Sequence, residues 1–127
     1  MNIPSNLKYT RDHEWVRTEG QKVYIGITDY AQHSLGDIVF VEMPEKGKTI
    51  KAGEALGVVE SVKAVSDVYC PLSGTVIEVN KELIDAPEKI NEVPYDSWIA
   101  VLEIADQGEI EQLLSPEQYQ EFCSQEG

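Results

Sequence analysis

The stretch GVVESVKAVSDVYCP, residues 57 to 71, places one lysine between two valine-rich runs in which apolar and polar residues roughly alternate. Such alternation predicts two β-strands, and a two-residue turn at Lys63 and Ala64 would join them as a hairpin. In that register Glu60 faces Asp67 across the two strands. One long strand with the lysine on its solvated face is the alternative that the pattern leaves open.

Two local rules make this hairpin unusual. Tight two-residue turns favour residues such as Asn-Gly that adopt positive φ, and Lys63 and Ala64 are not of that kind. Glu60 opposite Asp67 would also set like charges across the ladder, at a cost of roughly 0.2–1 kcal/mol. Violations of this kind collect at functional sites, so the hairpin is a candidate functional site.

The chemistry that fits a lysine in this place is modification. An exposed amine at a hairpin tip can enter the active site of another enzyme and be acylated, which removes its charge. A catalytic lysine needs burial or a neighbouring cation, whereas Glu60 and Asp67 are the charged residues near Lys63. The sequence therefore predicts an attachment site and no catalytic residue.

The composition of the chain excludes several classes of protein. The chain has 127 residues, 42% of them apolar, which is enough for one domain with its own core. The 23 acidic against 10 basic residues give a net charge of −13, which disfavours nucleic acid and anionic membranes and favours electropositive partners. Cys70 and Cys123 are predicted to be reduced thiols, and His13 and His33 to be structural or surface residues, with no metal site.

The first 25 residues contain neither a long apolar run nor an Arg- and Ser-rich leader. They therefore predict no signal peptide and no transmembrane helix. We expect a cytoplasmic protein, or a mitochondrial matrix protein from which a transit peptide has been removed.

The rest of the chain predicts many short strands and a few helices. Strands are expected in 14–28, on both sides of Glu19-Gly20, and again in 37–44, 73–80 and 97–104. Helical turns are expected over 28–36, with Thr28 or Asp29 as the cap and Gly36 as the stop, and irregular structure over 81–94. Ser115, Pro116 and Gln118 predict the start of a helix within a C-terminal helical segment at about 108–124. This pattern indicates a β-sandwich or barrel with small helical additions.

The hairpin also resembles a known family. ESVKA (60–64) and SDVYCPLSG (66–74) are similar to the attachment hairpin of the glycine cleavage system H proteins. Four further stretches resemble H-protein segments in the same order and extend the likeness over almost the whole chain: KYTRDHEWVR, IGITDYAQHSLGDIVFVEMP, PEKINEVPY and LLSPEQYQEFC. Biotin carriers usually place methionines beside the lysine, and 2-oxo acid dehydrogenase lipoyl domains place an aspartate before it. Val62 and Ala64 stand in those positions here.

The resemblance implies a mostly β, barrel-sandwich hybrid fold with small helices, including a C-terminal one. It implies a single lipoyl-carrier domain over residues 1–127, with the lysine-bearing hairpin at about 56–70 and lipoate joined to Lys63 by an amide. The protein would be a carrier and not an enzyme. It would take the aminomethyl group of glycine from glycine decarboxylase (the P protein) to the aminomethyltransferase (the T protein), and dihydrolipoamide dehydrogenase (the L protein) would reoxidise it.

The resemblance also implies roles for three acidic residues. Glu14 matches a family position thought to line the cleft that shelters the loaded arm, where a carboxylate can hold a protonated amine. A glutamate on the rim of a loop is the plainer alternative. Asp67 would act in the cleft or in recognition by the lipoylating enzyme, and Glu60 in recognition. The expected protein is a monomer that binds neither nucleic acid nor membrane.

Two other functions remain open at this point. A lipoyl-relay protein, which donates lipoyl groups to other complexes, needs the same Lys63 and the same hairpin. An unmodified β-sandwich interaction module would carry the lysine only incidentally. An enzyme fits least, since no catalytic triad, metal cluster or phosphate-binding loop is apparent in the sequence.

Overall fold

A computed structural model describes residues 1–126 of the chain. It contains nine strands, four α-helices and one 3-10 helix: β1 (Lys8–Tyr9), β2 (Glu14–Glu19), β3 (Lys22–Ile27), α1 (Asp29–Leu35), β4 (Ile38–Glu42), β5 (Thr49–Ile50), β6 (Ala55–Ser61), β7 (Val65–Tyr69), β8 (Gly74–Val79), α2 (Glu82–Asp85), α3 (Lys89–Glu92), β9 (Ala100–Ile104), the 3-10 helix (Gln107–Gln112) and α4 (Pro116–Glu126). The prediction of a mostly β fold with small helices and a C-terminal helix is confirmed.

The strands form two antiparallel sheets. The larger has the order β1-β2-β3-β9-β8-β5, and the smaller has the order β4-β6-β7. Alternate residues on each strand face the space between the sheets, as Val23 and Ile25 do on β3 and as Val59 and Val68 do on the lysine hairpin. Since each buried aliphatic side chain contributes about 1.5–3 kcal/mol, this shared core holds the two sheets together.

The C-terminal helix packs on the other side of the larger sheet. Ser115 and Gln118 form a reciprocal capping box at its start, with backbone-to-side-chain hydrogen bonds of 2.9 and 3.1 Å, as the sequence predicts. Tyr119 of this helix stacks on Tyr9 of β1 at a centroid distance of 4.6 Å. A second apolar cluster with Trp15 and Cys123 surrounds this pair and fixes α4 against β1 and β2.

The other local predictions have mixed outcomes. Helix α1 begins after Thr28, whose hydroxyl accepts from the Ala31 N–H, and ends at Gly36, where φ is 82°. For 81–94 the prediction of irregular structure is wrong in part, because two four-residue helices, α2 and α3, lie there. Neither has a side-chain cap, and each buries one residue, Leu83 or Ile90. Burial in the core therefore holds single turns that the local sequence does not specify.

The C-terminal segment predicted as helical at about 108–124 contains two elements. The 3-10 helix ends at Gln112, and α4 begins at Pro116. Leu114, between them, exchanges two backbone hydrogen bonds with Tyr9 of β1. Among the described residues, no helix is long and apolar enough to cross a membrane.

Candidate functional site

The hairpin of β6 and β7 carries Lys63 at its tip, so the reading as one continuous strand is wrong. The predicted register is also wrong, because each residue near the turn pairs with a partner two residues away from the predicted one. Glu60 pairs with Val65, and Asp67 pairs with Val58, so the two acidic residues do not face each other. The turn is therefore centred on Val62 and Lys63 instead of on Lys63 and the residue after it.

Ser61 explains why this register is stable without an Asn-Gly turn. Its backbone N–H donates to Ala64 O at 2.8 Å, which closes the turn. Its hydroxyl oxygen accepts from the N–H groups of Lys63, at 3.3 Å, and Ala64, at 3.0 Å. Among the described non-glycine residues only His13 has positive φ, so the turn residues keep ordinary backbone angles. The hydroxyl of Ser61 thus provides the hydrogen bonds that stabilise the turn. Serine side chains often bond to nearby backbone groups in turns, and the prediction did not use this property of Ser61.

The segment after α1 supports the hairpin tip from below. Asp37 O accepts from the Val62 N–H at 3.0 Å. A Cβ placed on Gly36 would lie 3.4 Å from Lys63 Cε, so the aliphatic stem of the lysine runs close over this glycine. Beyond it, Ile38 pairs with Ser61 and connects β4 to the hairpin. The backbone of the tip is therefore held from two sides while the lysine side chain is exposed.

The amine of Lys63 is available for chemistry. In the part of the chain that the structure describes, the ion pairs are Arg17–Glu19 and Lys89–Glu82, and Lys63 takes part in neither. Its neighbours in the sequence, Val62 and Ala64, offer no group that could bind the amine. An exposed primary amine on a fixed turn is accessible to an acylating enzyme.

The smaller sheet and its hairpin turn expose several large apolar side chains. Of the eight large apolar side chains that are exposed in the described residues, five belong to this sheet or its hairpin turn: Val39, Phe40, Val62, Val65 and Tyr69. Phe40, Glu60 and Val65 form one row across the three strands, and Glu42, Val58 and Asp67 form another on the same face. We call these two rows, with Val62, the hairpin face.

Glu14 lies at the other end of the hairpin, at the start of β2. It is 2% exposed, so the alternative of a glutamate on an exposed rim is wrong. Its carboxylate accepts from the Thr10 hydroxyl at 2.6 Å and from the Tyr69 N–H, at the end of β7, at 3.2 Å. Burial raises its pKa to about 7 against the lowering effect of these two hydrogen bonds, and the nearby Asp12 adds to the increase.

The three predicted acidic residues lie at different distances from Lys63. Tyr69, which donates to Glu14, is six residues from Lys63, a distance of about 20 Å along an extended strand. Asp67 is four residues from Lys63, or about 13 Å along the same strand. Asp67 is exposed, and Glu60 is half-buried beside the tip, in the row with Phe40. Strand β7 pairs with β6 alone among the described strands, and its free edge is the one that Glu14 approaches. Lys63 and Glu14 therefore lie at opposite ends of one sheet edge.

The histidines and cysteines have structural surroundings. His13 Nδ1 lies 2.7 Å from the Tyr119 hydroxyl, and His33 is exposed. Both cysteines are buried, and neither forms a disulfide. Burial raises the pKa of the Cys70 thiol to about 11, which keeps it protonated and unreactive. Among the described residues, no group of three or more His, Cys, Asp or Glu side chains could hold a metal ion.

A two-sheet β fold with an exposed lysine on a fixed hairpin turn places the protein in the class of small carrier domains with a barrel-sandwich hybrid fold. Comparisons with known proteins identify the family. The glycine cleavage H-protein family model matches residues 7–126. A glycine cleavage system H protein of Thermoanaerobacter sp. (strain X514) is 52% identical over 126 residues, which cover 99% of this chain and 100% of that protein.

A glycine cleavage system H protein of Bacillus cereus (strain AH820) is 54% identical over 127 residues, again 99% of this chain and 100% of that protein. The crystal structure of a glycine cleavage system H protein from Mycobacterium marinum superimposes with a TM-score of 0.85 at 39% identity, covering 98% and 99% of the two chains. The chain belongs to the glycine cleavage H-protein family. The resemblance and the barrel-sandwich fold that it implies are confirmed. The protein is a non-catalytic lipoyl carrier of the glycine cleavage system.

Proposed function

We propose that Lys63 is the attachment site for lipoate and that the chain carries the aminomethyl group of glycine from the P protein to the T protein. Bound through an amide to Lys63 Nζ, lipoate supplies the sulfur that holds this group and the dithiol that the L protein reoxidises. The observation that carries the proposal is the exposed amine of Lys63, free of ion pairs, on a turn whose backbone is hydrogen-bonded on both sides.

The residues present fit such an attachment. The Lys63 stem lies over Gly36, which has no side chain to obstruct it. The hydroxyl of Ser61 and the carbonyl of Asp37 hold the turn without using the lysine side chain. Acylation of the amine therefore breaks no contact that the described fold depends on.

The free edge of β7 gives an attached arm a path back across the carrier. An arm that folds back from Lys63 along this strand passes Asp67 first and reaches Glu14 at the Tyr69 end. We propose that these two carboxylates hold the protonated amine of the cargo by charge-assisted hydrogen bonds. Glu14 is shielded from solvent, so a group held there is also shielded from hydrolysis.

The protonation state of Glu14 suits this role. With a pKa of about 7, the buried carboxyl is largely protonated in slightly acid solution when no cation is near. A protonated amine beside it favours the ionised form, because the opposite charge compensates for lost solvation. The residue therefore becomes an anion most readily when its cationic cargo is present.

We propose that the lipoylating enzyme and the P, T and L proteins contact the hairpin face. Phe40, Val62 and Val65 offer apolar contacts around the lysine, and Glu60 lies between them as a recognition residue. The chain has a net charge of −13, so partners with electropositive surfaces gain favourable long-range steering. Partners that approach this face meet the lysine at its edge.

The proposal is tested by the intact mass of the protein after reaction with a lipoate ligase and lipoate, followed by mapping of the peptide that contains Lys63. We expect one lipoyl group on Lys63 and none in Lys63→Arg, because guanidinium does not form the amide. Lys46→Arg, which changes another exposed turn lysine, is the matched control and should be modified as the wild type is. A folded wild-type protein that stays unmodified with an active ligase would overturn the proposal.

The direction of transfer needs a second experiment. Fully lipoylated protein, supplied to the P protein with glycine, should support release of carbon dioxide and accumulate the aminomethyl mass on the arm. If the lipoylated carrier supports no decarboxylation but passes its lipoyl group to another complex, the relay function replaces the shuttle.

A further inference from the structure

The conspicuous polar contact below the hairpin comes from Asn91, in the short helix α3. Its Oδ1 accepts from the Ile38 N–H at 2.9 Å. Its Nδ2 donates to Gly36 O at 2.8 Å and to Gln32 Oε1 at 3.0 Å. These partners lie 53 to 59 residues earlier in the chain, so the contact is a tertiary one that joins α3 to the segment between α1 and β4.

The groups that Asn91 binds are the ones on which the lysine hairpin rests. We call Gly36, Asp37 and Ile38 the support segment. The Asn91 side chain binds the backbone carbonyl of Gly36 and the backbone N–H of Ile38, so both ends of the segment are fixed. Between those ends, Asp37 O accepts the Val62 N–H of the turn. A chain of hydrogen bonds therefore runs from α3 to the residue next to the lysine.

An asparagine suits this position because it offers a donor and an acceptor at the end of one short side chain. Gln32 helps to orient the amide: its Nε2 donates to Asp29 at 2.8 Å, which leaves its Oε1 to accept from Asn91 Nδ2. An aspartate would keep the shape and the acceptor for Ile38, but it would place a carboxylate oxygen against Gly36 O. Such a change removes two donated hydrogen bonds without removing volume.

We propose that Asn91 is a positioning residue for the attachment lysine. It holds the support segment against the hairpin tip and thereby sets the place and direction in which the Lys63 stem leaves the carrier. This inference rests on the proposed function of Lys63 as the lipoylation site. The hydrogen bonds of Asn91 go to Ile38, Gln32 and Gly36 and not to the hairpin, so its effect passes through the Asp37–Val62 hydrogen bond and through Gly36.

The test uses Asn91→Asp in the full chain and measures steady-state lipoylation by a lipoate ligase at varied carrier concentration. We expect kcat to fall by about tenfold to a hundredfold, the size of effect that small misplacements of a reacting group produce. The KM for the carrier should stay near the wild-type value, because the hairpin face is unaltered. Hydrogen exchange at the Val62 amide should accelerate in the same variant, since its acceptor is no longer fixed.

Asn80→Asp is the matched control. The Asn80 side chain also donates to a backbone carbonyl, Trp98 O at 2.9 Å, and this hydrogen bond joins it to neither the hairpin nor the support segment. The same chemical change there should leave the lipoylation kcat and the Val62 exchange unchanged. Acylation by a small N-hydroxysuccinimide ester should also proceed equally on Lys63 in wild type and Asn91→Asp, because the amine remains exposed.

The outcomes separate this inference from the proposed function. If the wild type is lipoylated on Lys63 and Asn91→Asp matches it in kcat and in Val62 exchange, the positioning role is wrong while the attachment site stands. If the wild type is not lipoylated on Lys63, the proposed function fails first. If Asn91→Asp does not fold, Asn91→Ser, whose single shorter hydroxyl cannot replace both amide contacts to Gly36 and Ile38, is measured where its circular dichroism equals that of the wild type. An unchanged kcat in that variant would likewise overturn the inference.

Discussion

Glu14→Gln is the substitution that tests the electrostatics of the site most directly. It replaces a buried carboxyl by a neutral side chain of the same shape, so the amide oxygen can still accept a hydrogen bond from Thr10 or Tyr69. What it removes is ionisation. In the wild type, burial raises the pKa of Glu14 from an ordinary value of 4.5 to about 7, and Asp12 adds to the increase.

The sign of the pH dependence follows from this shift. Between these two pKa values the folded protein holds the Glu14 proton while the unfolded chain has lost it, so unfolding releases a proton and stability falls as pH rises. Below the lower value both states are protonated and the folded state has its full stability. Above about pH 7 both are ionised, and the loss is complete. Since each pH unit corresponds to about 1.4 kcal/mol, the total loss is about 3 kcal/mol.

The assay is denaturant unfolding of the unmodified wild type and of Glu14→Gln from about pH 5.5 to about pH 8, a range that avoids precipitation near the isoelectric point of about 4.4. The free energy of unfolding of the variant, relative to the wild type, should increase by about 2 kcal/mol over this range. Glu103→Gln, which removes one negative charge from an exposed position on β9, corrects for the effect of net charge. A wild-type-minus-variant difference that does not change with pH would refute the assignment of Glu14 as a buried, nearly neutral carboxyl.

Three further substitutions test the packing and the surface. Gly26→Ala should destabilise the protein by about 1–3 kcal/mol in denaturant unfolding, because a Cβ there would lie 2.7 Å from ring atoms of the buried Trp15; an unchanged midpoint would contradict this packing. Tyr119→Phe should cost about 1–3 kcal/mol by the same measurement, because it removes the hydroxyl that lies 2.7 Å from the buried Thr28 Oγ1; a neutral result would show that the contact contributes nothing. Phe40→Ser should destabilise the protein by only about 1 kcal/mol, because the ring is half exposed, yet raise the KM for the carrier in lipoylation several-fold; an unchanged KM would exclude Phe40 from the docking surface.

Sequence reasoning succeeded where the determinants are local. The Ser115 and Gln118 capping box forms as predicted, since both of its hydrogen bonds join residues three apart. Thr28 and Gly36 bound α1 for the same reason, as a cap and a positive-φ stop that the sequence shows directly. Elements of this kind carry their own start and stop signals.

The hairpin register and the state of Glu14 depend on contacts that the local sequence does not contain. The register follows from the Ser61 side chain and from the Val62 hydrogen bond to Asp37, twenty-five positions earlier in the chain. Glu14 is buried at a contact with Tyr69, 55 residues later, whose N–H donates to its carboxylate. A position in a motif can suggest that Glu14 matters, but only the packed structure shows that its carboxyl has lost contact with water, and this desolvation is what raises its pKa.

As the proposed docking surface, the hairpin face suits a carrier that binds several enzymes in turn. Val62 is 70% exposed and Val65 is 65% exposed, and an isolated soluble domain has no need of apolar side chains at the tip of a hairpin. Partner contacts that cover them gain hydrophobic free energy, while the small number of such side chains limits the area buried. Small interfaces are typical of transient complexes, which dissociate quickly enough for the next partner to bind. We infer that the apolar area around Lys63 is limited by the need to release each partner: additional apolar residues there would strengthen one complex and slow the cycle.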